Sequence, residues 1–187
     1  MKSDILLSEI NLINTIYIKE WTIKTLENTP DYFFKAPASS TGKYHPQCTC
    51  RKGGLLVHVK RAVYIANRLC SGWGIKDLDR DIVISATILH DIAKVGNPAI
   101  AKSTYEDYEN HPINGANLIL STLLEEIKPP FDEIIKQITN CVQNHMGLWT
   151  PEKVKKEIKK YTLLELAVYT ADYIATTKDL ITPKDRE

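Results

Sequence analysis

Apolar residues recur at helical spacing along most of the chain, and no stretch alternates with a period of two for long enough to predict a strand. The pattern therefore predicts an all-α fold. A first helix is expected over residues 3–28, with Ser3 as its N-cap and Thr29-Pro30 as its stop. Residues 29–52 carry Pro37, Pro46, a Ser-Ser-Thr-Gly run and Cys48-Thr49-Cys50, and read as a long loop of the kind that is usually functional or disordered. Gly53-Gly54 then opens a helix over 55–73. The next is expected from about Leu78-Asp79 to just past Lys94, where Gly96 and Pro98 break it. Pro112 fits the first turn of a helix reaching about Ile127, and Pro129-Pro130-Phe131 separates this from a helix reaching about Met146. A charged helix is expected after Pro151, and a final strong one over "TLLELAVYTADYIATTK".

Several of the polar residues fall on the apolar faces of these helices. His58 shares a stripe with Leu55, Ala62, Ile65 and Leu69. His90 follows Val83 and Ala86; His145 follows Ile134, Ile138 and Cys141. Asp172 lies with Leu164, Val168 and Ala175. Four separate helices thus each direct a metal-competent side chain inward. Asp91 adjoins His90, and His111 sits at a helix start before Pro112, with Gly115 one turn on allowing close approach. Taken singly, each histidine reads as an ordinary satisfied core residue. An unpaired buried carboxylate, however, costs several kcal/mol unless it is neutralised. A shared cation satisfies all six groups together.

Four imidazoles and two carboxylates without a thiolate suit Mn, Fe, Co, Ni or Zn, with Mg at a weaker position. Six donors exceed what one tetrahedral ion needs, so the cofactor is expected to be one or two divalent ions, with Asp91 the natural bridge between two. Composition changes this picture little. The chain has 187 residues and a formal net charge of +1. That size suits a single domain over 1–187, and the charge gives no bulk case for nucleic-acid or membrane partners. Asp4, Glu9, Lys19 and Glu20 interrupt the apolar N-terminus, so neither a signal peptide nor a membrane span is read there and a cytoplasmic location is expected. Cys48, Cys50, Cys70 and Cys141 form no CxxC pair and are expected as reduced thiols. The chain has no GxSxG and no P-loop.

The order H…HD…H…H…D resembles the HD superfamily of all-α, metal-dependent phosphohydrolases. It is carried by His58 in "GGLLVHVKRA", by "LHDIAK" at 89–94, by His111 in "HPINGA", by His145 in "QNHMGLW" and by Asp172 in "YTADYIAT". The resemblance spans roughly residues 43–178. It implies that His58, His90, Asp91 and Asp172 bind metal, and that His111 and His145 match the added ligands of dinuclear members. The stretch "KYHPQCTCRKGGLLVHV" is also similar to the segment before the first ligand in exoribonuclease-type and phage or bacterial HD hydrolases. "GLWTP" stands where the cyclic-dinucleotide branch has a GYP sequence, which disfavours that substrate.

The implied activity is hydrolysis of a small phosphate ester, with a nucleotide the expected substrate. Asp91 is assigned to catalysis. The HDxxK pattern implies that Lys94 contacts phosphate, although a helix-end lysine also complements the C-terminal dipole. Lys43, Arg51, Lys52, Lys60 and Arg61 flank the first ligand and offer charge for phosphate or simply a solvated face. Arg51 and Lys52 are favoured, because they precede a helix N-terminus suited to anions. His45 makes only a weak zinc-like H-x2-C-x-C with Cys48 and Cys50, and a substrate-side role is preferred. Trp149 is expected to pack rather than to stack on a base. "EKVKKEIKK" is expected as a surface helix with a solvated lysine face. Two other functions fit the same donors: a di-iron oxygenase, and a non-catalytic binding or regulatory domain.

Overall fold

The structure, a computed structural model, describes residues 1–39, 42–94, 109–122 and 131–186. Its helices are α1 (Leu7–Ile10), α2 (Ile16–Asn28), α3 (Gly54–Trp73), α4 (Asp77–Leu89), α5 (His111–Ser121), α6 (Phe131–Asn144) and α7 (Leu163–Ala175). Short 3-10 turns join several of them, and no strand occurs among the described residues. The chain is all-α, as its periodicity predicts.

α4 is the central element, packed against α1, α2, α3, α6 and α7. Every residue from Asp81 to Leu89 is buried. A helix that is enclosed on all sides loses the polar face of a surface helix. Its polar side chains are therefore spent on bonds to its neighbours. Asp81 accepts from the Asn14 amide (3.0 Å), the Thr15 amide (2.7 Å) and the Thr15 hydroxyl (2.6 Å). Ser85 meets Thr22 at 2.7 Å. The remaining pairs close the bundle, α3 on α4 and α7, and α5 on α6.

Two expectations fail for identifiable reasons. The expected helix over 3–28 is broken at 11–15. Asp81 captures the amides of Asn14 and Thr15, and Arg80 donates to the Leu12 carbonyl at 2.6 Å, so the backbone is satisfied across the helix boundary. Ser3 is not an N-cap; its hydroxyl donates to Glu27 at 2.6 Å. The charged segment after Pro151 forms turns and a single 3-10 turn, Ile158–Lys160, rather than a helix. A helix there would place Lys155 beside Lys159 and Lys156 beside Lys160, like-charge pairs one turn apart. Lys156 instead reaches Glu165 on α7 at 2.6 Å.

Other boundaries move less. α4 ends at Leu89, and residues 90–94 continue as tight turns, with the Ile92 amide on Leu89 and the Lys94 amide on Asp91. α7 begins with a reciprocal cap, the Glu165 amide donating to the Thr162 hydroxyl and the Thr162 amide to the Glu165 carboxylate. The loop 29–52 is folded back on α3: the Ala38 amide bonds the Thr49 carbonyl (2.9 Å) and the Leu55 amide the Ala36 carbonyl (3.0 Å). Gly54 permits this, since a Cβ there would lie 2.1 Å from the Thr49 oxygen. Gly96, Pro98, the expected helix end near Ile127 and Pro129-Pro130 lie outside the described residues.

Candidate metal centre

The donors meet where five helices, α3, α4, α5, α6 and α7, converge. His58 lies near the start of α3, and His90 and Asp91 leave the end of α4. His111 opens α5, His145 follows α6, and Asp172 sits on the last turns of α7. All six side chains come together. Five are at most 2 % exposed, and only Asp172, at 17 %, meets solvent.

Their donor atoms form two groups. Around the first, His58 Nε2 lies 2.9 Å from Asp172 Oδ1, 3.3 Å from His90 Nε2 and 3.6 Å from Asp91 Oδ2. His90 Nε2 is 3.3 Å from the same Asp91 oxygen. Around the second, His111 Nε2 lies 3.1 Å from both His145 Nε2 and Asp91 Oδ1, and His145 Nε2 is 3.6 Å from that oxygen. The Asp91 carboxylate is thus divided, one oxygen facing each group.

These spacings are those of ligand atoms around an ion. Bonds of about 2.0–2.2 Å set neighbouring ligand atoms about 3.3–3.6 Å apart in a tetrahedron and about 2.8–3.1 Å apart in an octahedron. The two imidazole nitrogens of the second group face each other at 3.1 Å, where either a shared N–H···N hydrogen bond or a bound metal ion would satisfy them. Backbone carbonyls orient two of the rings. His90 Nδ1 bonds the Thr87 carbonyl at 2.7 Å and His145 Nδ1 the Val142 carbonyl at 2.6 Å, which turns each Nε2 inward. Asp91 Oδ1 is shielded from solvent and accepts no well-formed hydrogen bond despite its neighbours. An orphaned buried carboxylate oxygen facing two imidazoles fits a divalent ion, and the two triads His58–His90–Asp172 and His90–Asp91–His145 each suffice to hold one.

The electrostatics agree with a site built for positive charge. Burial alone would raise the Asp91 and Asp172 carboxyls. Lys94 and His90 overcome this at Asp91, and His58 and His90 at Asp172, so both stay well below the usual carboxylate range. Burial favours neutral His90, yet Asp91 and Asp172 outweigh it and push its pKa up to about 10. His58 and His111 are lowered, chiefly by burial. Lys94 is itself buried and bonds Asp91 Oδ2 at 2.8 Å. It steadies the shared carboxylate rather than capping a helix dipole.

The expected substrate residues divide. His45 is at the site, its ring centroid 5.5 Å from that of His58. Burial, with Lys94 second, pushes its pKa down to about 3, so it is neutral. Arg51 and Lys52 are not brought to the cluster. With Ile5, Leu56, Val57 and Lys60 they line a hollow of about 440 Å³. Leu56, Val57 and Lys60 lie about 100–160° around α3 from His58, so this hollow faces away from the donors. Nor does the helix start offer free amides: those of Gly54, Leu55 and Leu56 bond the carbonyls of Arg51, Ala36 and Gly53. Lys43 is exposed, its ammonium 4.9 Å over the Tyr44 ring. Trp149, expected to pack, is 64 % exposed.

Arg61 corrects the sequence reading most. It is neither solvated nor a phosphate ligand but fully buried, donating to the carbonyls of Ala175, Thr177 and Leu180 and pairing with Asp185. The signal was present, since Arg61 lies three residues after His58 on the same inward stripe.

An all-α bundle enclosing a His/Asp donor cluster defines a metal-site helical protein. The family model for the HD domain matches residues 55–177, well over half of the chain, and the chain belongs to the HD-domain family. Members of this family bind divalent metals and are commonly hydrolases. Comparison with curated proteins and with solved structures returned no match. No helix among the described residues is long and apolar enough to cross a membrane.

Proposed function

We propose that the protein is a metal-dependent phosphohydrolase acting on a nucleotide or another small phosphate ester, with two divalent ions held by His58, His90, Asp91, His111, His145 and Asp172. The observation that carries this reading is the divided Asp91 carboxylate, which faces two imidazoles with each oxygen. Divalent ions held in pairs supply hydroxide near neutral pH and neutralise phosphate oxygens. The chain's own work is placement. Thr87 and Val142 fix the rings of His90 and His145, Lys94 orients Asp91, and the burial of five of the six donors excludes bulk water. Asp172, the partly exposed donor, marks the side from which a substrate enters.

The test is Asp91→Ala in protein loaded with manganese, assayed for phosphate release from a panel of nucleotides and simple phosphate esters. Wild-type release, lost to background in the variant while its helical spectrum is unchanged, is the expected result. Oxygen uptake with iron and no phosphate release would replace the reading with the oxygenase one. Metal binding with neither activity would make the domain a non-catalytic one.

A further inference from the structure

The loop before α3 carries one imidazole that the six-donor cluster does not use. The His45 ring sits edge-on to His58, with an interplanar angle of 60°. Both of its ring nitrogens are shielded from solvent, and neither has a hydrogen-bond partner among the described residues. In water each would have one, so the arrangement costs free energy until something arrives to bond it.

The backbone holds the ring in this position. The Thr49 amide and hydroxyl both bond the Pro46 carbonyl (3.0 and 2.9 Å), and the Cys50 amide bonds Gln47. Thr49 is fastened in turn to Ala38, and its carbonyl fills the space over Gly54. His45 therefore rides on a loop locked to the start of the helix that carries His58. Neither donor triad includes it, although its ring abuts a member of one. The ring lies within electrostatic range of Lys94, Asp91 and Asp172.

We propose that His45 contacts the substrate, donating a hydrogen bond from its ring N–H to a phosphoryl oxygen of an ester bound at the metal centre, and that it takes no part in holding metal. The proposal rests on the phosphohydrolase reading above. A phosphoryl group presents several acceptor oxygens, and an imidazole carries at least one N–H, which no described residue accepts here. Because the donor is already positioned and desolvated, the bond forms without reordering the loop.

Two variants separate the roles. His45→Phe fills the ring's place and removes both nitrogens; His45→Gln restores an N–H. Inorganic phosphate is titrated into the manganese-loaded full chain, manganese is titrated into the metal-free proteins, and melting is followed in each. For His45→Phe, phosphate affinity should fall about 10- to 100-fold, the loss expected for one hydrogen bond to a charged group. His45→Gln should recover part of it. Manganese affinity should be unchanged, and metal-free His45→Phe should melt no lower than wild type, since it forfeits no bond within the protein. Wild-type phosphate affinity in His45→Phe overturns the proposal, as does a loss of manganese affinity, which would make His45 a ligand. A marked drop in melting would give its nitrogens a structural partner and equally overturn it. Failure of the manganese-loaded wild type to bind phosphate overturns the hydrolase reading, and this proposal with it.

Discussion

Asp91 is within reach of His58, His90, His111, His145 and Lys94, so its removal disturbs both halves of the site at once. Lys94 bonds the Asp91 carboxylate at 2.8 Å. On the proposed function, Lys94→Ala should keep metal binding but slow hydrolysis by about 10- to 1000-fold, as for other single charge-stabilising groups. It should also lower the stability of the metal-free protein by up to about 3 kcal/mol, because a buried carboxylate loses a paired cation. Divalent metal should restore most of that stability. Melting curves with and without manganese check this, and a metal-independent deficit would show that Lys94 serves packing instead. Asp185 provides the pH test. Burial opposes its ionisation, but Arg61 and the Thr182 amide prevail and hold its carboxyl below the ordinary 3.8. A depressed pKa stabilises fully above the unfolded value, and that stability is lost as pH falls through the folded one. Asp185→Asn should thus be less stable than wild type at pH 7 by about 1–3 kcal/mol, with the gap closing below about pH 4. Urea midpoints across that range decide the matter; a gap independent of pH would mean that the carboxylate's charge is irrelevant. Five of the donors were legible at this scale because each lies on an apolar stripe or beside one that does, and His111 because it opens a helix before Pro112. Arg61 lay on the same stripe, and its long cationic side chain made a surface role the natural reading until the C-terminal carbonyls were seen around it.

The helices themselves divide into those defined by their own pattern and those defined by a neighbour. α3 and α7 follow their sequence: apolar periodicity, a left-handed glycine before one, and a Thr162–Glu165 cap before the other. The break before α2 does not, because it depends on Asp81, sixty-six residues away in the chain from Thr15. No local signal encodes a cap supplied from another helix. Asp81→Ala should cost about 1–2 kcal/mol, the upper range for a lost cap, since two amides and a hydroxyl lose their acceptor together. Hydrogen exchange should locate the loss at residues 14–16; protection unchanged there would sink the account. The segment after Pro151 failed as a helix because apolar spacing at Val154, Ile158 and Tyr161 was weighed without the repulsion among its lysines. Gly54→Ala tests the loop that carries His45. Its Cβ would meet the Thr49 backbone at 2.1 Å, so the loop must shift, at a cost of about 1–3 kcal/mol. Phosphate affinity of the manganese-loaded protein should drop alongside, and unchanged affinity would show that the loop does not set the ring's position.

For the molecule as a whole, stability and metal occupancy are linked. Ions that bind only the folded chain stabilise it by mass action. At a hundred times the dissociation constant, manganese should raise the melting temperature by about 5–10 °C for a chain of this size, and a chelator should reverse it. An unmoved melting point would deny the cluster its metal. The all-α class and the gathering of the six His and Asp side chains were legible at this scale. The central position of α4 was not, because over 81–89 the polar Asp81, Ser85 and Thr87 are buried like their apolar neighbours, so no exposed polar face marks an outside. Homology marks a unit at 55–177, but the physical unit is larger. α2 covers the face of α4 that bears Ser85, and Asp81 on α4 is satisfied by residues 14 and 15. A fragment trimmed to the recognised boundary would keep every one of the six metal donors and still present a bare carboxylate and an apolar groove to water. It should be recovered as aggregate, and adding back the N-terminal helices, not more metal, should be what dissolves it.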